Sequence, residues 1–280
     1  MICFLSCRLR PARSRLDIFE GHQASGTGEE GSCWNSSRVT RVHLYGASNL
    51  WFSRRAALAA IRRRFEGPLE LGLACGPGRS YGLRAGNPLL TYRPLREVEF
   101  PQSPQLAILS DIGNDIAYSQ RPDTTSGWVA ELAARLEARG SEVVLTGVPV
   151  ESLRGLPDWL FWLLRTLYYA GQKATKQDIL QRLADLDGGL RELASARGYL
   201  FLPVDSRWYG FDRFHLRRDR HADCWETWTE RLRPALTESQ LPTWRSVWGL
   251  RPDQYWRRGK ELAGLGEYDN ILAQTKLWVR

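Results

Sequence analysis

The chain has 280 residues, which suits one large domain with a buried core and leaves room for appendages. Its composition, 43% hydrophobic and 25% charged, is typical of a globular protein and excludes a fibrous or wholly disordered chain. The net charge is +8, and arginine carries almost all of the positive charge. We therefore expect a basic, solvated surface with non-specific attraction for anions, and no specific nucleic-acid site.

Cysteine usage and hydropathy bear on the compartment. The five cysteines show no disulfide framework and no metal-binding pair, so a reducing compartment and a cytoplasmic location are expected. No apolar run is long enough to span a membrane, and the only apolar stretch near the first residue is too short for a signal peptide.

The two ends of the chain differ in amino-acid composition from the middle. Residues 1–40 are rich in Arg, Ser and Gly without any period, and we predict a disordered tail. Residues 233–280 are rich in tryptophan, and we predict an extension that packs on the domain. Residues 41–232 are then the folded domain.

Strand and helix patterns alternate through this domain. Strands are predicted at residues 41–45, 69–75, 106–109, 143–148 and 199–204, and helices at 49–65, near 128–136, and at 157–170, 176–197 and 219–232. Thr175 and Asp178 predict a capping box for the fourth helix. The third helix is apolar on nearly every side, which favours deep burial over a lid or a lipid-facing patch. The alternation predicts an α/β three-layer sandwich with a mostly parallel, flavodoxin-like sheet.

A serine stands where the first predicted strand turns into the first predicted helix. Ser48 lies in the run Gly46-Ala47-Ser48-Asn49. Its hydroxyl is expected at the sheet edge, and its backbone N–H belongs to the unsatisfied first turn of the helix. This placement suits a nucleophile that also helps to bind an oxyanion, although a plain helix-capping serine would look the same.

Asp212 and His215 lie three residues apart in the loop after the last predicted strand. At this spacing the carboxylate can accept the His Nδ1–H and fix the tautomer, which leaves Nε2 free to take a proton from a serine hydroxyl. With Ser48, the pair predicts a catalytic triad.

Four sequence blocks occur in one order: GASN with Ser48, CGPGRSYG with Gly78, DIGND with Asn114, and DRFH with Asp212 and His215. Together they resemble the SGNH (GDSL-like) hydrolase family over about residues 41–232. The resemblance implies a serine ester hydrolase whose site is formed by these residues.

An ester carbonyl attacked by Ser48 becomes an oxyanion that needs hydrogen-bond donors. The expected donors are the N–H of Ser48, the N–H of Gly78 and the side-chain amide of Asn114, although Gly76 or Gly82 could replace Gly78. Asn114 could instead brace its own loop through an Asx turn.

Two positions depart from the family pattern. Ala47 stands where the family usually has aspartate, and Ile112 stands where it usually has glycine. Asp115, beside Asn114, is expected to be a structural brace. The departures leave open a catalytically weak or inactive SGNH-like binding protein as the alternative function.

Two other sites compete with this interpretation. Gly78 to Gly82 match the G-x-S-x-G nucleophile elbow, with Ser80 as nucleophile, but the sequence after them is a poor helix start. A cluster of possible metal ligands has spacing that matches no zinc motif: His215, Asp219, His221, Asp223 and Cys224. We therefore expect no metal and no cofactor. The expected partner is a small-molecule, lipid or carbohydrate ester; the sequence does not determine the acyl group, the leaving group or the oligomeric state.

Overall fold

The computed structural model describes residues 39–65, 68–82, 94–100, 102–168, 173–232 and 275–279, all within one compact unit, Asn35–Arg280. The strands are β1 (Thr40–Tyr45), β2 (Leu69–Ala74), β3 (Leu106–Leu109), β4 (Glu142–Thr146), β5 (Leu200–Leu202) and β6 (Thr275–Val279). The helices are α1 (Ser48–Arg64), α2 (Asn114–Ala117), α3 (Pro122–Ala138), α4 (Val150–Arg154), α5 (Asp158–Tyr168), α6 (Lys176–Arg197) and α7 (His221–Glu230).

The strands form one sheet in the order β5-β4-β3-β1-β2-β6. Every neighbouring pair is parallel, and β1 pairs with β2 from Thr40↔Leu69 to Tyr45↔Ala74. The first five strands have the 2-1-3-4-5 order of flavodoxin-like sheets, in which ligands bind where the strand order reverses, beside β1 and β3. The predicted α/β sandwich with a parallel sheet is confirmed.

Alternate residues of the strands pack into two separate apolar cores, one on each face of the sheet. In β3, Ile108 packs into the core shared with α1 and α7, whereas Leu109 packs into the core shared with α3 and α6. In β1, Leu44 and Tyr45 divide between the same two cores. The sheet is therefore buried on both faces, which explains the nearly continuous apolar runs of its strands.

Local signals set several helix ends. Thr175 and Asp178 form the predicted capping box at the start of α6, with the Thr175 side chain accepting the Asp178 N–H at 3.1 Å. Gly140 follows α3 with φ +84°, and Gly198 ends α6 with φ +68°. Glycine adopts this left-handed backbone without strain.

Several predicted boundaries were wrong. The strand predicted at 143–148 ends at Thr146, and the helix predicted at 219–232 is α7, which begins at His221. The short helices α2 and α4 were not predicted.

The prediction that the third helix is deeply buried was also wrong. In α5, Phe161 and Leu164 face the core, but Trp159 is 68% exposed and Leu167 67% exposed, and Trp162 is also exposed. Apolar residues on every side of a helix permit deep burial but do not require it. In α5 the apolar residues divide between the core and the exposed surface.

The arginine-rich face of α1 is partly engaged within the domain. Arg63 forms an ion pair of 2.6 Å with Glu226 of α7, and Arg64 Nε donates to the Leu232 carbonyl oxygen at 3.1 Å. These contacts join α1 to α7, so part of the positive charge is used for packing.

The predicted tail and extension fall largely outside the described residues. Thr40 already belongs to β1, and residues 1–38 are not described. Of the extension, residues 275–279 form β6 beside β2, so the packing of its tryptophans remains a prediction. Within the described part of the chain, no helix has the length and hydropathy required to cross a bilayer.

Candidate active site

Ser48 is the first residue of α1, directly after the turn that follows β1. The turn is tight: a Cβ on Gly46 would lie 2.5 Å from Ser110 Oγ and 2.8 Å from Leu50 Cβ, so only glycine fits. Ser48 remains partly exposed, and none of the described residues accepts its backbone N–H. The turn therefore leaves the backbone N–H of Ser48 available as a hydrogen-bond donor.

Asp111, which the sequence analysis did not select, holds this turn from the loop after β3. Its Oδ2 accepts the N–H of Ala47 at 2.6 Å and the N–H of Leu50 at 3.0 Å. The residue has φ +59°, an unusual backbone conformation for a side chain of this type. Ala47 itself provides no cap, so the carboxylate of Asp111 caps α1 from the neighbouring strand.

The loop that carries Asp212 and His215 is closed by its own backbone. Tyr209 and Leu216 form an antiparallel bridge, and the Gly210 N–H donates to the His215 carbonyl oxygen at 2.7 Å. Asp212 Oδ1 accepts the N–H of His215 at 3.0 Å, while Asp212 Oδ2 lies 2.7 Å from His215 Nδ1. The carboxylate is thus held by the residue that it orients.

The structure brings His215 to Ser48. His215 Nε2 lies 3.1 Å from Ser48 Oγ, within hydrogen-bond distance. The two residues are 167 positions apart in the chain, and they meet because both loops lie at the carboxyl edge of the sheet. The Asp212 carboxylate, the His215 imidazole and the Ser48 hydroxyl form one continuous hydrogen-bonded chain.

Asn49, beside Ser48, fixes the position of the histidine loop and was also missed. Its Nδ2 donates to the Phe214 carbonyl oxygen at 3.0 Å, and its Oδ1 accepts the Leu216 N–H at 2.8 Å. These two bonds flank His215 on either side. The residue next to the serine therefore clamps the loop that supplies the imidazole.

The charges of the pair support each other. Burial would raise the pKa of Asp212, but hydrogen bonds from the His215 side chain and backbone outweigh it, and the pKa lies below its usual value. Burial would lower the pKa of His215, but the hydrogen bond and charge of Asp212, followed by the charge of Asp111, raise it above 6.5. The partly buried pair therefore stabilises an imidazolium.

Gly78 and Asn114 line one cavity of about 500 Å³ together with Ser48, Asp212 and His215. A volume of this size accommodates a small organic ligand. Gly78 has φ +73°, which disfavours any residue with a Cβ. All five residues selected from the sequence thus border the same space.

Asn114 also connects two loops. Its Nδ2 donates to the Arg79 carbonyl oxygen at 3.0 Å, which uses one of its two amide hydrogens. Asp115 is fully buried, and its Oδ2 accepts the Tyr81 N–H at 2.8 Å, as expected of a structural brace. The loop after β3 therefore supports the loop after β2 through two adjacent side chains.

The competing nucleophile Ser80 has no accessible surface, so a substrate cannot reach it in this conformation. Its carbonyl oxygen accepts the Leu95 N–H at 2.7 Å, and residues 81–82, the last described before a gap, are not helical. Within the described residues, no helix directly follows Ser80 as the nucleophile elbow requires.

The side chains of the possible metal cluster have other partners. Asp219 and Asp223 form ion pairs with Arg217 and Arg220, and Cys224 is fully buried in the core. Across the described ranges, no group of three acidic, histidine or cysteine side chains is arranged to bind a metal ion.

Comparisons with known proteins address the fold. No protein-family model matches the chain, and no curated protein matches its sequence. The structure is similar to a carbohydrate acetylesterase, Est24, from Sinorhizobium meliloti (15% identity, 69% of this chain, 97% of that chain, TM-score 0.49). It is also similar to a GDSL-like lipase from Bacteroides thetaiotaomicron (18%, 69%, 88%, 0.44).

A further solved structure aligns with a TM-score of 0.51 at 12% identity, over 69% of this chain and 96% of its own. At these identities the similarity concerns the fold alone. The sheet order and the likeness to this last structure agree with the α/β fold that the resemblance of the four sequence blocks implies.

Proposed function

We propose that this protein is a serine ester hydrolase that uses Ser48, His215 and Asp212. The observation that carries the proposal is the hydrogen-bonded chain from Asp212 through His215 to Ser48, which opens into a ligand-sized cavity. The esterases and lipases of similar fold add support at the level of the reaction class.

Ser48 Oγ attacks the ester carbonyl carbon while His215 Nε2 takes its proton. The carbonyl oxygen becomes an oxyanion, which accepts hydrogen bonds from the Ser48 N–H, the Gly78 N–H and the second amide hydrogen of Asn114. When the C–O bond to the alcohol breaks, His215 returns the proton to the leaving oxygen. Water then attacks the acyl-serine in the same way, and His215 again serves as the base.

The departures from the family pattern do not remove any part of this machinery. Ala47 lacks a capping side chain, but Asp111 accepts its N–H and that of Leu50. Ile112 is fully buried, belongs to the apolar core and lines the cavity. Both positions leave Ser48 and His215 at hydrogen-bond distance, which favours the enzyme over the inactive binding protein.

A fluorophosphonate probe, which modifies only an activated serine, tests the proposal. We expect labelling of the wild-type protein at Ser48, loss of labelling in Ser48→Ala and retention in Ser80→Ala, which removes a buried hydroxyl of matched chemistry. Hydrolysis of 4-nitrophenyl acetate should follow the labelling. Labelling that persists in Ser48→Ala, or a wild-type protein that neither reacts with the probe nor hydrolyses esters, would refute the mechanism.

A further inference from the structure

A second, small cavity lies beside the cavity of the proposed active site, between α2, α5, α6 and the histidine loop. Its volume is about 30 Å³. The apolar side chains that line it are Ala117, Phe161, Leu164, Ala174, Ile179 and Phe214. Room of this size fits about one methyl-sized group.

Four of these residues border both cavities: Ala117, Leu164, Ile179 and Phe214. They are therefore the boundary between the small cavity and the space that contains Ser48 and His215. Phe214 directly precedes His215, and its backbone is fixed by Asn49 through its carbonyl oxygen at 3.0 Å. The small cavity thus adjoins the space beside the nucleophile across apolar side chains.

The lining of the small cavity offers little to a polar ligand. Among the described residues that line it, the one charged side chain is Arg165, which donates from Nη1 to the Ala174 carbonyl oxygen at 2.8 Å and is therefore already engaged. Phe161, Leu164 and Ile179 belong to the apolar core on that face of the sheet. Water needs two to four polar partners and a sugar hydroxyl needs at least one, whereas methylene and methyl groups need none.

We propose that these two adjoining cavities bind the unbranched aliphatic chain of an ester, with the carbonyl at Ser48 and the end of the chain in the small cavity. The inference rests on the proposed function and names its substrate class: esters with a medium-length chain, in preference to simple acetates or sugar esters. The chain belongs to the acyl group or to the alcohol, and the apolar chemistry that recognises it is the same.

Two series of esters distinguish these sources. In the first, 4-nitrophenyl acetate, butanoate, hexanoate and octanoate vary the acyl chain. In the second, acetate esters of ethanol, butanol, hexanol and octanol vary the alcohol. We expect kcat/KM to rise with chain length in one series by about tenfold or more, since each methylene in an apolar pocket contributes roughly that factor.

The structure offers a matched pair of variants on one helix. Leu164→Trp fills the boundary of the small cavity and should lower the long-to-short ratio of kcat/KM by about tenfold or more. Leu167→Trp makes the same substitution on the exposed face of α5 and should leave the ratio unchanged. Phe161→Ala enlarges the cavity and should move the preference to longer chains, which keeps the test decisive if Leu164→Trp does not fold.

A rising series that Leu164→Trp or Phe161→Ala alters and Leu167→Trp does not would support the inference. Equal kcat/KM along both series, or equal changes from Leu164→Trp and Leu167→Trp, would overturn it while the esterase proposal stands. Absence of turnover on every ester, with Ser48 unlabelled by the fluorophosphonate, would instead refute the proposed function and the inference with it.

Discussion

Ser48 and Ser80 follow neighbouring strands of the sheet, and each lies in a turn that contains glycine. Ser48 begins a helix of 17 residues, borders the cavity and lies 3.1 Å from His215 Nε2. Ser80 is fully buried, and residues 81–82, the described residues directly after it, are not helical. The comparison teaches that accessibility to substrate and a neighbouring base mark a candidate nucleophile. A closer match to a short sequence motif does not.

The two turns are held in the same manner by one loop. Asp111 accepts backbone N–H groups of the Ser48 turn, and Asp115 accepts those of Tyr81 and Gly82 in the Ser80 turn. The two aspartates lie four residues apart after β3, the strand next to β1. The turns therefore differ outside this loop: Ser48 has His215 as a neighbour and borders the cavity, whereas Ser80 is buried.

Asp212→Asn should have the largest effect. The asparagine amide would stabilise the wrong tautomer of His215, and kcat should fall about 10⁴-fold. The pH profile should change as well. Only neutral His215 accepts the Ser48 proton, so wild-type kcat/KM should rise with pH through a pKa above 6.5. Without the Asp212 carboxylate, the lowering of the His215 pKa by burial is less opposed. The rise of kcat/KM with pH, which is the acid limb of the profile, should therefore move to lower pH.

The control for this change is Asp219→Asn, which removes an exposed carboxylate that pairs with Arg217 at 2.6 Å. Its acid limb should coincide with that of the wild type. If Asp212→Asn and wild type share the same limb and rate, His215 does not act with Asp212.

Asn114→Ala should have the next largest effect, because Asn114 serves both turns. Its amide borders the cavity of Ser48 and donates to Arg79 beside Ser80. Loss of an oxyanion donor should lower kcat by about 10² to 10³-fold and change KM much less. A merely structural role would instead lower the unfolding temperature and leave kcat of the folded fraction unchanged.

The smallest expected effect separates the two aspartates. Burial raises the pKa of Asp111, and the N–H groups of Leu50 and Ala47 that donate to its carboxylate oppose this rise. Its charge contributes to the raised pKa of His215 after that of Asp212. Asp111→Asn should therefore shift the acid limb of kcat/KM to lower pH by less than about one unit. Asp115→Asn, the matched change in the other turn, should not. Equal shifts in both variants would contradict the distinction between the turns.

The sequence predicted the sheet, and it selected residues that line one cavity, because these signals are local. Continuous apolar runs marked the strands, and the order of Ser48, Asn114, Asp212 and His215 placed the site at one edge. The helices α2 and α4 were missed because four or five residues do not complete enough turns to show a period.

Asp111 and Asn49 were missed for a different reason. Each acts through partners distant in sequence: Asp111 contacts Ala47 across 64 positions, and Asn49 contacts Phe214 across 165. No local pattern reports such contacts. Asp111 could have been selected from the parallel neighbours β1 and β3, since the residue after β3 must lie beside the turn after β1.

The pairing of β6 with β2 has a consequence for how the protein assembles. Leu69 of β2 pairs with Thr275, about 200 residues later, whereas its other neighbour, β1, is close in sequence. During synthesis, one side of β2 therefore exposes unpaired backbone groups until residues 275–279 emerge. Such an open edge is a template for strands of other chains, so conditions that delay this pairing should favour strand exchange between molecules over correct closure.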